Sequence, residues 1–467
     1  MKTFDFVILG GGATAFAAAI RANETGKKIA MINDGLPLGG TCVNVGCVPS
    51  KALLRVGEVM YRSINHGIPG LTIERKEFSF NKVIQDELRL VSEMRKDKYE
   101  AVLKRLKNVT HIQRFAHFID DQTVEVSGEK IQGKKFLIAT GSTAHGIPVP
   151  GIDEVGFLTH VEALQLKEQP KSLIVIGAGP LGLEFAQMYA RFGTKVTLLQ
   201  RNERIMPAAE PELSNRLSEI LQLEGIEVLT GVSVTEVKKK GSWKVVSFEQ
   251  SGKVNSVSAE EILVAAGKTP NIESLGLKNT RVKIDDRKAI VVNRDYSTDV
   301  PHIYAAGDVA ALPLRLETSS GKEGTYIAEN ALLGKKRSID YNSVPWAVFT
   351  DPALTGVGLT DAEANKQGFT CSCQTVSFEM VPKAHIVKDT RGLIKMVADD
   401  KSRRILGIHI LAPHADDLIA TAMMVVRNKM TIDDVVDTVP MFPTLAESIK
   451  IAAQSFDQDI ETLSCCT

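Results

Sequence analysis

The sequence predicts an α/β chain with two strand–turn–helix units and a closing α+β domain. Three observations carry this. An apolar run, a glycine turn and an alanine-rich helical stretch follow one another in "FDFVILGGGATAFAAAIRA". The same succession returns in "SLIVIGAGPLGLEFAQMYARFGTKVTLLQRNER". From "VPWAVFTDPALTGVGLT" onward, strand patterns alternate with two helical ones.

The bulk numbers bound the reading. At 467 residues the chain is too long for a single hydrophobic core. Lys+Arg and Asp+Glu balance at 56 each, which argues against a nucleic-acid or anionic-membrane surface as its main business. No apolar run reaches the ~18–20 residues needed to span a bilayer. The opening residues imitate a signal peptide, but three consecutive glycines and an acidic residue favour a buried strand and its turn, so a cytoplasmic protein is expected. Six cysteines in so long a chain make no disulfide framework; pairs among them point to catalysis or metal binding.

In the first unit, Gly10-x-Gly12-x-x-Ala15 follows the strand and opens the helix. Small residues there let the backbone approach a pyrophosphate, whose charge the helix N-terminus favours. The acidic residue expected on a ribose at the end of the next strand, "KIAMIND", falls on Asn33, with Asp34 one beyond, so that contact is present in shifted form. In the second unit Gly177-x-Gly179-x-x-Gly182 fits the full fingerprint. Its strand end carries Gln200 and Arg201 in place of an acid, and Arg204 follows. A carboxylate there would repel a 2′-phosphate and a guanidinium can bind one, so NADPH is expected over NADH.

Two Rossmann-like cradles imply two dinucleotides, most simply FAD and NADPH. The runs "KKFLIATGS" and "EILVAAGKTPN" each end in a glycine turn, at Gly141 and Gly267. "PHIYAAGDVA" sets Asp308 after a strand, suited to a ribityl hydroxyl. The expected order is an FAD-binding part over 1–145, an inserted NADPH-binding domain over 146–268, a second FAD-binding part over 269–338 and an interface domain over 339–467.

Between the first cradle and the rest of its sheet lies "GGTCVNVGCVPSK". If helical, Cys42 and Cys47 stand about a turn and a half apart, and a distorted helix can bring both sulfurs within bonding range. The glycines and Pro49 mark that helix as irregular. A zinc site needs about four ligands, and no further cysteine is near in sequence. The residues alone leave two readings open, a redox pair or two buried thiols.

With these motifs in this order, the chain resembles the pyridine nucleotide–disulfide oxidoreductase family over essentially its whole length. The resemblance implies a homodimer, FAD and a nicotinamide nucleotide, and electrons passing through a Cys42–Cys47 disulfide. It implies that Cys47 lies against the flavin with Thr41 close to the cofactor, and that Cys42 faces substrate. Lys51 is implied near the flavin N5, paired with Glu184, where a cation stabilises reduced flavin and thiolate.

The end of the chain departs from the family's disulfide reductases, whose motif His-Pro-Thr-Leu-x-Glu supplies a proton from the partner subunit. Here "MFPTLAE" keeps Glu447 but has Phe442 in the histidine's place, and phenylalanine carries no proton. A substrate disulfide leaves as thiolate and benefits from that proton; a soft metal ion does not. The closing "LSCCT" offers Cys465 and Cys466 to capture such an ion and pass it to Cys42 and Cys47. This combination resembles the family's mercuric reductases, with Hg(II) as substrate. Two alternatives stand beside it: a disulfide reductase of the dihydrolipoamide dehydrogenase or thioredoxin reductase type, and a flavoprotein that sequesters metal. The N-terminal metal-binding domain many such reductases carry is not expected ahead of the first strand. Tyrosines that stand near the metal in the family are matched here by Phe442 and Pro180. Cys371 and Cys373, in "FTCSCQTVSF", are expected to be structural and to face opposite ways along a strand.

Overall fold

The computed structural model describes residues 1–74, 76–462 and Ser464. The terminal pair Cys465 and Cys466 therefore lies outside the described residues. The chain divides into two compact units, and the division falls inside the helix Cys47–Ile64.

The first unit comprises Met1–Ser50, Ile84–His145 and Gly267–Tyr341. Its centre is a five-stranded parallel sheet in the order Ile303–Ala305, Phe136–Ile138, Phe6–Leu9, Ile29–Ile32, Val109–Ile112. Parallel strands covered on both faces read as unbroken apolar runs, which is why "FVIL" and "IAMI" show no alternation. On one face, Phe6, Ile8, Ile29 and Met31 pack with the helix Ala13–Asn23 and with Ile327 and Ala328 of the helix Glu317–Leu333. On the other, Val7, Leu9, Phe136 and Ile138 meet Phe118, Val124 and Ile131 of a second, four-stranded sheet.

The two helices on the first face approach very closely. A Cβ at Gly324 would stand 2.1 Å from the Thr14 carbonyl oxygen, so only glycine lets the Glu317–Leu333 helix lie against the first turn of Ala13–Asn23.

The second unit comprises Lys51–Val83, Gly146–Ala266 and Asn342 onward. It holds a four-stranded parallel sheet in the order Glu227–Leu229, Lys195–Leu199, Ser172–Ile176, Glu261–Val264, accompanied by a three-stranded antiparallel sheet. It also holds a five-stranded antiparallel sheet in the order Trp346–Val348, Ala353–Gly358, Ile405–Ala412, Leu393–Asp399, Cys371–Ser377. The helices Ala415–Arg427 and Glu447–Gln454 close the apolar core on one face of that sheet.

The structure corrects one expectation. Cys371 and Cys373 do not face opposite ways: both pack against the same small cluster of Leu359, Ala364, Val397 and Leu406. Residues two apart on a strand share a face, because the side-chain period is two. Among the described residues no helix is long and apolar enough to cross a membrane.

The helix contact gives a paired prediction. Gly324→Ala must push the helices apart and is expected to cost about 1–3 kcal/mol. Gly321→Ala, with nothing within 4 Å of the added Cβ, should be neutral or stabilising by roughly 0.5–1 kcal/mol. Thermal melts of the two variants check this.

Candidate active site

The first cradle is made by backbone. At Gly10 φ is +137° and a Cβ would stand 2.2 Å from the Ala139 carbonyl oxygen, so the strand can turn past its neighbour only with glycine there. Gly12 is the N-cap of Ala13–Asn23, and among the described residues no side chain caps that helix. Its first N–H groups are therefore free of side-chain acceptors and suit a phosphate. Ala15 is fully buried beneath the turn.

The cysteine segment is docked directly on this cradle. Gly39 N–H donates to the Gly11 carbonyl at 2.8 Å. A Cβ at Gly40 would stand 2.7 Å from Gly12 Cα, so the two backbones touch. Thr41 and Cys42 follow on the short helix Gly40–Val45. Buried Asn44 pins this loop, its amide donating to the carbonyls of Pro37, Leu38 and Gly40 and accepting from Arg95. Gly46, at φ −135° and ψ −111°, breaks the helix, and Cys47 opens the next one, Cys47–Ile64. The expected irregular helix is thus two helices with a glycine joint. A Cβ at Gly46 would meet the Thr41 carbonyl oxygen at 2.9 Å.

Cys42 and Cys47 are brought together as thiols, Cys42 half-buried and Cys47 exposed. The Cys42 S–H has two acceptors in reach, the Cys47 sulfur and the Glu317 carboxylate. Its hydrogen bond with Cys47, burial, and the nearby charges of Cys47 and Glu317 all push the Cys42 thiol well up. Burial pushes the Glu317 carboxyl up, its bond with Cys42 opposes this, and Asp308 adds to the rise. Tyr99 lies near the same groups: its hydroxyl is pushed up to about 12 by burial, with Glu317 and both sulfurs contributing. Neither Glu317 nor Tyr99 stands out in the sequence. Tyr99 sits in a π-helical turn, Lys96–Glu100, a backbone irregularity that often accompanies function.

Asp308 sits in the short 3₁₀ turn Gly307–Val309. It accepts from Ser142 Oγ at 2.6 Å, and buried Glu323 holds the turn by accepting from Gly307 N–H at 2.9 Å. Gly141 and Gly267 both take positive φ, and the flanking residues Ser142–Ala144 and Lys268–Pro270 pair as strands. Asn33 is buried, its amide donating to Leu36 O and its oxygen meeting His111 Nε2 at 2.9 Å. Exposed Asp34 is left as the carboxylate at that strand end.

The second cradle, within the other unit, repeats the backbone logic. Gly177 lies at φ +107° with a Cβ position 2.7 Å from Ala265 O; one at Gly182 would stand 1.8 Å from Gly177 O. Gly179 is the N-cap of Pro180–Phe192, again without a side-chain cap, and a Cβ there would meet nothing within 4 Å. Pro180 takes the first helical position, where its missing N–H costs nothing. Gln200 is buried and braces the turn, accepting from Ala178 N–H at 3.1 Å and donating to Arg204 O. Arg201 is exposed. Buried Arg204 Nε has no hydrogen-bond partner among the described residues, which fits an anion in this place.

Lys51 and Glu184 meet as expected. Lys51 Nζ lies 2.7 Å from Glu184 Oε2 and 4.4 Å above the Phe349 ring, and Glu184 Oε1 accepts from Phe349 N–H. Near the end of the chain, Phe442 is half exposed, while buried Glu447 accepts from Thr444 N–H at 2.8 Å.

Comparison with known proteins agrees with this geometry. Residues 4–348 match the family described as pyridine nucleotide-disulphide oxidoreductase, and residues 344–453 match its dimerisation domain. The chain belongs to that family. As a pyridine nucleotide-disulphide oxidoreductase it is an oxidoreductase of the kind that works with FAD and a nicotinamide nucleotide, and both cradles fit such groups. A mercuric reductase from Staphylococcus aureus is 38% identical over 463 residues, covering 99% of this chain and 84% of that protein. One from Streptomyces lividans is 36% identical, covering 99% and 98%. Among solved structures, the Cu(II) complex of the HOCl-induced flavoprotein disulfide reductase RclA from Escherichia coli superposes with a TM-score of 0.87. It is 27% identical, covering 98% of this chain and 100% of that one.

The electrostatics of the pair yield a prediction. Glu317→Gln removes a negative charge that holds the Cys42 proton, so the thiol should ionise at lower pH. Alkylation of Cys42 by iodoacetamide at neutral pH, followed by peptide mapping, is expected to speed up several-fold in the reduced variant.

Proposed function

We propose that this oxidoreductase reduces Hg(II) to Hg(0) with NADPH, by way of the Cys42–Cys47 pair. The supporting observation is Phe442: at the position where the family's disulfide reductases hold a proton-carrying histidine, this chain has a half-exposed hydrocarbon ring. A disulfide substrate would have to leave as an unprotonated thiolate. Two thiolates can clasp a soft, two-coordinate ion with no added acid. The names of the relatives at 34–38% identity support the same choice.

The reaction balances as NADPH + Hg(II) → NADP⁺ + H⁺ + Hg(0), two electrons in all. FAD, when bound in the first cradle, supplies the two-electron step between nicotinamide and the sulfurs. Each chain residue then has a task. Gly10, Gly12 and Ala15 admit the pyrophosphate, Asp308 accepts from a ribityl hydroxyl, and Asp34 is left for the ribose. Gly177, Gly179 and Gly182 admit the nicotinamide dinucleotide, while Arg201 and Arg204 offer guanidinium to a 2′-phosphate. Lys51, fixed by Glu184, is the cation that stabilises reduced flavin. Cys42 and Cys47 bind the ion and deliver the electrons. Cys465 and Cys466, from the partner in a homodimer, hand it over by thiolate exchange.

The likeness to RclA, seen as a Cu(II) complex, favours one rival reading, a copper ion in place of mercury.

One assay separates the readings. NADPH absorbance is followed with Hg(II), Cu(II), lipoamide, glutathione disulfide and thioredoxin offered singly. Turnover with Hg(II), lost in Cys42→Ala and Cys47→Ala, is expected; turnover confined to Cu(II) or to a disulfide would refute the mercury reading, as would stoichiometric binding without turnover. Cys465→Ala/Cys466→Ala should slow the reaction mainly when Hg(II) arrives bound to thiols. In the same assay Arg204→Ala should raise KM for NADPH by about tenfold or more while sparing NADH, the loss of one charge-assisted phosphate contact.

A further inference from the structure

The cysteines on the outer strand of the antiparallel sheet remain without a task. Among the described residues Cys371–Ser377 is an edge strand, paired only with Leu393–Asp399. Cys371 and Cys373 project from one face, both half-buried against Leu359, Ala364, Val397 and Leu406. Carboxylates surround them. Asp399 stands directly across the ladder from Cys371, and the Cys373 thiol shares a hydrogen bond with Asp361.

The spacing decides what this pair can hold. Residues two apart on a strand lie about 6.5 Å apart at Cα with parallel Cβ directions. A disulfide wants Cβ atoms about 3.8 Å apart, so closing one would bend the strand. Two thiolates bound in line to one cation need their sulfurs only roughly 4.6 Å apart, taking a metal–sulfur bond of about 2.3 Å. Leaning the two side chains toward each other about χ1 can cover the difference, roughly 1 Å from each, with the backbone in place. Soft thiolates select soft ions, and a pair with no third sulfur or imidazole beside it among the described residues suits an ion content with two ligands.

We propose that Cys371 and Cys373 form a second metal site, separate from Cys42 and Cys47, for a two-coordinate d¹⁰ cation of the Cu(I), Ag(I) or Hg(II) class. Binding exchanges two S–H bonds for two S–metal bonds and releases two protons to solvent. The surroundings hold those protons on the empty pair. Burial and the charges of Asp361, Asp399 and Asp400 push the Cys371 thiol up, and burial with Asp361 pushes Cys373 up to about 12, against an opposing effect of Lys395. Empty, the pair is therefore protonated and a poor nucleophile. Lys395 is itself held by Glu210 and Glu212, which moderates its repulsion of a cation. This site does not depend on the reaction proposed above.

The test uses the full chain with Cys42, Cys47, Cys465 and Cys466 changed to serine. It is loaded with Ag(I) and passed through gel filtration in excess glutathione. One retained equivalent per chain is expected, with a sulfur-to-metal charge-transfer band. Adding Cys371→Val/Cys373→Val should abolish both, and Cys371→Ser or Cys373→Ser alone should weaken retention at least about 100-fold, since chelation is lost. The single serine variants keep the test decisive should the double valine variant not fold. Retention of no ion, of two ions per chain, or of one that survives these substitutions would overturn the proposal.

Discussion

Everything about the redox pair depends on one backbone contact, Gly40 against Gly12. The added Cβ at Gly40 would stand 2.7 Å from Gly12 Cα, and Gly39 N–H donates to Gly11 O beside it. The segment carrying Cys42 therefore begins on the turn that forms the phosphate cradle. A thiol placed this way is fixed by main chain, with the Asn44 amide bracing the loop from within. Gly46 completes the arrangement. Its backbone breaks the helix and passes so close to Thr41 that no larger residue fits, and Cys47 restarts a helix facing Cys42. Three glycines thus convert a five-residue spacing into a pair of neighbouring sulfurs.

Backbone crowding also explains how much was legible in the sequence. The two cradles were readable because their glycines answer to such crowding within one strand–turn–helix unit, at Gly10 against Ala139 and at Gly177 against Ala265. The Lys51–Glu184 ion pair was readable only through resemblance, since its partners lie far apart in the chain. Glu317 and Tyr99 were not readable at all. They reach the sulfurs from helices whose packing is tertiary, the first through the close approach of Glu317–Leu333 to Ala13–Asn23 that Gly324 permits. Asn33 shows the limit of counting: its position follows from the strand, but its side chain is drawn inward to Leu36 and His111. The faces of Cys371 and Cys373 were legible and were misassigned, for a period of two puts them together.

The cradles share a backbone solution and differ in the residues just beyond their second strands. At the first, the residue that ends the strand turns its amide into the protein. At the second, Gln200 does the equivalent, bracing Ala178, and so frees the next positions for Arg201 and Arg204. A neutral amide can brace a glycine turn without adding charge, whereas a carboxylate in the same place would oppose a phosphorylated ribose. The residues that end both strands thus carry no charge.

Both thiol pairs have a common electrostatic signature. Cys42 lies beside Glu317, and Cys371 and Cys373 lie beside Asp361 and Asp399. In each place burial and a carboxylate act against the bare thiolate, at Cys42 after its hydrogen bond with Cys47. With Hg(II) on two thiolates the pair becomes neutral, and the carboxylate's repulsion of it falls away. Both surroundings therefore oppose a free thiolate more than they would a neutral, metal-bound pair. That is the physical sense in which a missing histidine and a nearby carboxylate point the same way.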